Sequence, residues 1–283
     1  MTTGVRVGTQ LAAALFAASL AHAQAAPSPT LAFTVTDSAL RGPTAFTAGV
    51  VTIQLANRGR NVHQLQLLAI ANGHTADEAK AYIIANDAPP QWSRLTSGVG
   101  PVEGGQTLAA TLKLDPGTYL LLDLLNDPKG KLNYRAGIIA PFTGSGVVGR
   151  DLANIPAVAG LMMTNRFRFG NLFRSGNTWT QSESRDRNTR IRPGLQTIRI
   201  ESFASGVHSV VLARGGPEIM RQDVEWREGR RPLPPIGLVG GVSGIVTQAR
   251  AFLQVRLTAG GYILFCPDRN GFETGEFTQF AVQ

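Results

Sequence analysis

The chain has few side chains that could do chemistry. It carries one cysteine, Cys266, and four histidines: His22, His63, His74 and His208. One thiol excludes a disulfide framework and any all-thiolate metal site. So few imidazoles leave no set for an enzyme with several histidine-bound metals. A Cys–His pair can stabilise a thiolate, which makes Cys266 with His208 the one combination able to act as a nucleophile or bind a soft metal. A serine hydrolase would need a G-x-S-x-G elbow, and none occurs. The Gly215-Gly216 and Gly240-Gly241 pairs lack the G-x-G-x-x-G spacing of a phosphate-cradling loop. His74 lies in Asn72-Gly73-His74-Thr75, just before a predicted helix, where a solvated or capping role is expected.

The elements that must position these residues come twice. Gly49-Val50-Val51-Thr52-Ile53-Gln54-Leu55 leads to Val62-His63, and Gly194-Leu195-Gln196-Thr197-Ile198-Arg199-Ile200 leads to Val207-His208, with 14 residues from glycine to histidine in both. Further on, Leu114-Asp115-Pro116-Gly117-Thr118-Tyr119-Leu120-Leu121-Leu122-Asp123 lies against Leu257-Thr258-Ala259-Gly260-Gly261-Tyr262-Ile263-Leu264-Phe265-Cys266. The offset stays at 143–145 residues, which marks a duplication. Each copy reads as β: Thr52–Leu55, Leu108–Leu114 and Ala251–Leu257 alternate with period two and end in turn residues. About seven short strands in each copy give the pattern of a Greek-key sandwich. Gly 32 and Pro 16 supply the turns. One short helix is predicted, at Thr75–Ile83, from its N-cap threonine and early acids.

Asn57-Arg58-Gly59-Arg60-Asn61-Val62-His63 with Pro116-Gly117-Thr118-Tyr119, and Gly206-Val207-His208 with Gly261-Tyr262-Ile263-Leu264-Phe265-Cys266-Pro267, resemble the cupredoxin family of plastocyanin- and azurin-type blue copper proteins. The resemblance implies an all-β chain of two tandem cupredoxin-like sandwiches. It assigns 26–143 to the first domain, 144–166 to a linker and 167–283 to the second. The closing strands, Gly137–Phe142 and Gly275–Val282, look like the family's last strand. A type-1 copper site needs two histidines, a cysteine and usually an axial methionine. In the first copy only His63 matches: the cysteine position is Asp123, the second histidine region reads Lys131-Leu132-Asn133-Tyr134, and the axial position is near Ile138. In the second copy His208 and Cys266 match, Glu276 stands at the axial position, and 267–276 holds neither histidine nor methionine. Both copper sites therefore read as degenerate. The expectation is a non-catalytic binding or structural module without a cofactor. The alternative is a copper-binding or electron-transfer protein using His208, Cys266 and Glu276.

Residues 1–25 place one cation, Arg6, before the apolar run Leu11–Leu20 and the A-x-A site Ala21-His22-Ala23, the pattern of a cleaved secretory signal peptide. The run is shorter than the ~20 residues a membrane span requires. A secreted or periplasmic protein is expected, with no transmembrane segment in the mature chain. Hydrophobic residues make up 43% and charged residues 16%, so a folded core is expected rather than disorder. Removing Arg6 from a net +8 leaves +7, weighted toward residues 151–283, which hold 16 arginines and no lysine. The clusters Arg185–Arg192 and Arg227–Arg231 suit an anionic envelope component or an unidentified protein partner. Nucleic acid is not expected, since neither a docking motif nor aromatic stacking accompanies the basic residues.

Overall fold

Alternation in the sequence becomes strands with one face in a shared core. The computed structural model describes residues 28–146, 152, 155–164, 167–175, 178–181, 191–228, 230–231, 234–235, 237–267 and 276–283. The first unit runs β1 (Thr30–Thr36), β2 (Ala39–Arg41), β3 (Ala45–Thr47), β4 (Gly49–Asn57), β5 (His63–Ile70), α1 (Ala76–Asn86), β6 (Ser93–Val102), β7 (Thr107–Leu114), β8 (Gly117–Leu122) and β9 (Ile139–Ser145). The second runs β10 (Ala159–Met163), β11 (Phe167–Ser175), β12 (Thr178–Gln181), β13 (Gly194–Ser202), β14 (Val207–Arg214), α2 (Pro217–Arg227), β15 (Leu238–Val246), β16 (Arg250–Leu257), β17 (Gly260–Phe265) and β18 (Phe277–Val282). The fold is all-β in two repeated units, as the sequence implies.

The units are joined strand to strand. A nine-stranded sheet, ordered β12-β11-β10-β13-β16-β7-β4-β1-β2, runs through both. Above it lie a five-stranded sheet (β3-β9-β8-β5-β6) and a four-stranded sheet (β15-β14-β17-β18). At the junction β7 and β16 pair antiparallel, with Ala110 opposite Leu253 and Thr111 opposite Phe252. Ala110 and Leu253 are 143 residues apart, the repeat offset itself, so Ala110 faces its own copy and the flanking pairs are exchanged about a pseudo-twofold axis at that point. One apolar cluster then spans both units: Ile53, Leu55 and Leu112 of the first join Ile200, Leu253 and Leu264 of the second, all essentially inaccessible. Each such aliphatic side chain contributes roughly 1.5–3 kcal/mol by burial.

Helix α1 carries a full capping box: the Glu78 N–H donates to Thr75 Oγ1 (3.1 Å) and the Thr75 N–H donates to the Glu78 carboxylate (2.7 Å). Ala79 and Ile83 pack it on Leu68 and Leu120, on the outer face of the five-stranded sheet. Two sequence expectations need correction. A second helix, α2, occupies the equivalent place over the four-stranded sheet, where Ile219, Met220 and Trp226 bury against Val211 and Ile263. Its N-terminus has Gly216 at the cap and no capping side chain, so only Pro217 and Glu218 in the first turn mark its start. The expected linker 144–166 contains strand β10, which pairs parallel to β13 with Leu161 opposite Ile200. This repeats the parallel pairing of β1 with β4, Phe33 opposite Leu55. A glycine- and alanine-rich composition hid the strand, because Ala159 and Gly160 are buried and need little side-chain volume there. Among the described residues no helix is long and apolar enough to cross a membrane. The leader 1–25 lies outside the described residues.

Candidate metal centre

Three elements of the second unit converge at one end of its four-stranded sheet. His208 is the second residue of β14, Cys266 follows the last residue of β17, and Glu276 precedes β18. The Cys266 N–H donates to the Glu276 carbonyl (3.0 Å), closing the open end of the β17–β18 pair and fixing thiol and carboxylate side by side. Register shifts in β14 between His208 and Val210, where the strand departs from regular pairing with β15. The structure thus brings together His208, Cys266 and Glu276, with their ligand atoms all within 4.8 Å of one another. They form the one such cluster among the described residues.

The orientation of His208 matters most. Its Nε2–H donates to the Ser205 carbonyl (2.8 Å), leaving the Nδ1 lone pair facing inward. Nδ1 is buried and has no hydrogen-bond partner; the nearest Glu276 oxygen is 4.0 Å away. Cys266 is fully buried. An imidazole, a thiol and a carboxylate around a buried, unclaimed imidazole nitrogen fit a copper or zinc ion. They do not form a His₂Cys set: the stretch that would supply a second histidine has none in its sequence, and residues 268–275 of it lie outside the described residues.

The same locus in the first unit is built differently. His63 and Asp123 are fully buried, and the His63 Nδ1–H donates to Asp123 Oδ2 (2.7 Å). Asn133 Nδ2 donates to the same oxygen (3.0 Å), and the Leu125 N–H donates to Asp123 Oδ1 (2.9 Å). On its other side the His63 Nε2–H donates to Asp37 Oδ1 (3.2 Å), which also accepts from the Arg60 and Asn61 N–H groups. Burial works to lower the pKa of His63, but the Asp123 and Asp37 carboxylates outweigh it and hold the imidazole above its ordinary range. The His63 imidazole is thus engaged at both nitrogens, with no ring nitrogen left open. Sequence reasoning named Asn133 only as part of a missing histidine region and missed Asp37 altogether. Asp37 comes from the β1–β2 turn, 26 residues from His63, and no spacing rule connects them.

The remaining sequence candidates are placed plainly. His74 stacks on Trp92, with ring centroids 4.0 Å apart, and lies 3.7 Å from Glu78. In the second arginine cluster Arg227 bonds Asp223 (2.6 Å) and Arg230 pairs with Glu228. Arg185–Arg190 lie outside the described residues.

No family model and no curated protein matches the chain. Among solved structures it is similar to dithionite-reduced auracyanin from Roseiflexus castenholzii, at 17% identity over 42% of this chain and 98% of that one, with a TM-score of 0.30. It is also similar to the copper-containing nitrite reductase of Thermus scotoductus SA-01 (14% identity, 90% of this chain and 61% of that one, TM-score 0.25). A third is the blue copper oxidase of Nitrosomonas europaea (11% identity, 91% and 86%, TM-score 0.24). Likenesses this distant carry no argument about this chain, whose two repeated β units stand on its own strand order and register.

Proposed function

We propose that this chain is an exported, cupredoxin-like metal-binding protein that carries one copper or zinc ion in its second unit. His208 Nδ1, Cys266 Sγ and Glu276 would hold the ion, and the first unit serves as a metal-free scaffold. One observation carries this reading: His208 Nδ1 is buried without a partner beside a thiol and a carboxylate. Buried polar atoms are rarely left unpaired, and this one has the lone pair a metal needs. The first unit supplies the contrast, because both nitrogens of His63 and both oxygens of Asp123 are hydrogen-bonded there. Copper is the metal the resemblance implies, and the carboxylate donor also suits Zn(II). The role is binding, for metal handling or electron transfer. A chain that is metal-free throughout, acting only as a binding module, is the competing reading, and the lack of histidine and methionine in 267–276 favours it.

Equilibrium dialysis of the mature protein against Cu(II) and Zn(II), followed by elemental analysis, tests the proposal. One tightly held ion per chain is expected, lost in both Cys266→Ser and His208→Gln. No stoichiometric metal in the parent protein, or metal retained by both variants, overturns it.

A further inference from the structure

The duplication creates a second site that belongs to neither unit alone. A cavity of about 230 Å³ lies between them, lined by Gln64, Gln66 and Leu124 of the first unit and by Ser209, Val211 and Pro267 of the second. These are repeat equivalents: Gln64 with Ser209 and Gln66 with Val211 at an offset of 145, Leu124 with Pro267 at 143. A cavity walled by such pairs straddles the pseudo-twofold axis that relates Ala110 to Leu253.

Two further lining residues break the symmetry. Arg227 is the last residue of α2, as Asn86 is of α1, where the side chain is turned back on its own helix at the Tyr82 carbonyl (2.8 Å). Ser243 of β15 corresponds to Gly100 of β6 at the 143-residue offset that their strand registers share. A positive charge and a hydroxyl have thus been placed on one side only. Neither is used up by the protein. Arg227 Nε donates to Asp223 Oδ2 (2.6 Å), but its Nη2 is buried and without a partner. Ser243 is 4% exposed, and its hydroxyl likewise has none. Two other polar neighbours already have partners: Gln66 Nε2 donates to the Leu67 and Thr96 carbonyls, and Ser209 Oγ accepts from the Gly244 N–H.

Two unclaimed donors, one of them cationic, call for an acceptor that carries negative charge. The volume is below the roughly 300 Å³ at which sites for drug-sized ligands begin, which limits the occupant to a few heavy atoms. We infer that this cavity binds a small oxyanion, a carboxylate or a phosphate, through the Arg227 guanidinium and the Ser243 hydroxyl.

Calorimetric titration of the full mature chain with acetate and with inorganic phosphate, at constant ionic strength set by chloride, tests the site. Saturable binding of one anion is expected, with affinity falling about tenfold or more in Ser243→Ala, the loss of one charge-assisted hydrogen bond. Saturation by acetate alone identifies a carboxylate site, and by phosphate alone a phosphate site. Arg227→Gln leaves Asp223 buried and unpaired, so the arginine is tested in the double variant Asp223→Asn/Arg227→Gln, checked for folding by circular dichroism. Repeating the titration in Cys266→Ser separates this site from an anion held by a metal. Saturation by neither anion, affinity unchanged in both Ser243→Ala and the double variant, or binding abolished by Cys266→Ser overturns the inference.

Discussion

Asp123 and Cys266 hold the same place in the two units: each follows the closing residue of its strand, and each donates its backbone N–H across the strand pair. Asp123 donates to the Ile138 carbonyl (3.1 Å) and Cys266 to the Glu276 carbonyl (3.0 Å). One backbone frame therefore carries two chemistries. With aspartate it closes a buried hydrogen bond with His63, and with cysteine it leaves His208 Nδ1 without a partner.

The two positions should respond differently to mutation. Asp123→Ala leaves His63 buried between lost and remaining partners, and breaking a buried pair in this way costs about 3–5 kcal/mol. Cys266→Ser in metal-free protein should cost about 1–3 kcal/mol, as for an ordinary core change. Urea unfolding of both variants beside the parent protein measures the difference. Equal losses would show that the His63–Asp123 pair is not a closed structural unit.

Stability should also depend on pH through His63. Its folded pKa lies above the ordinary 6.5, so the folded state holds the proton more tightly than the unfolded chain. The resulting stabilisation is complete below the unfolded value and disappears as pH rises through the higher folded one. Unfolding free energies from pH 6 to 9 should therefore fall in the parent protein, and His63→Gln should remove that fall. A decline of the same size in the variant would contradict the assignment.

The shared sheet makes the two units one cooperative body. Trp92 reports on the first unit and Trp226 on the second, and variants keeping one or the other should unfold at the same urea concentration. Gly98→Ala should weaken both together, because an added Cβ would meet the Leu65 carbonyl at 2.2 Å and Ser243 Oγ at 2.7 Å. Overpacking of this kind costs about 1–3 kcal/mol. Separate midpoints for the two tryptophans would show that the junction is not structural.

Helix α1 offers a local control. Thr75→Ala removes the cap on the Glu78 N–H and should cost about 1 kcal/mol without altering metal uptake at the His208–Cys266–Glu276 cluster of the other unit. Chemical denaturation beside a metal titration checks both halves of this statement.

Much of the fold was legible because duplication writes it twice. The glycine-to-histidine spacing and the strand alternation are local signals, and the register that follows from them places His208, Cys266 and Glu276 at one end of a sheet. What escaped was non-local or uncapped. The partnership of His63 with Asp37 depends on a turn from a distant strand. Helix α2 begins without a side-chain cap and is rich in charge on its exposed face. Strand β10 is made of small residues whose burial is decided by the neighbouring sheet. The cavity at Arg227 and Ser243 arises only when the two units meet, and a reading of each copy by itself has no means of finding it.

A Cu(II) titration of the mature protein followed by absorption spectroscopy tests whether His208, Cys266 and Glu276 hold a metal together. A sulfur-to-copper charge-transfer band that saturates at one equivalent, vanishes in Cys266→Ser and shifts in His208→Gln is the result expected. No such band at any copper ratio, or a band unchanged in Cys266→Ser, would contradict the claim.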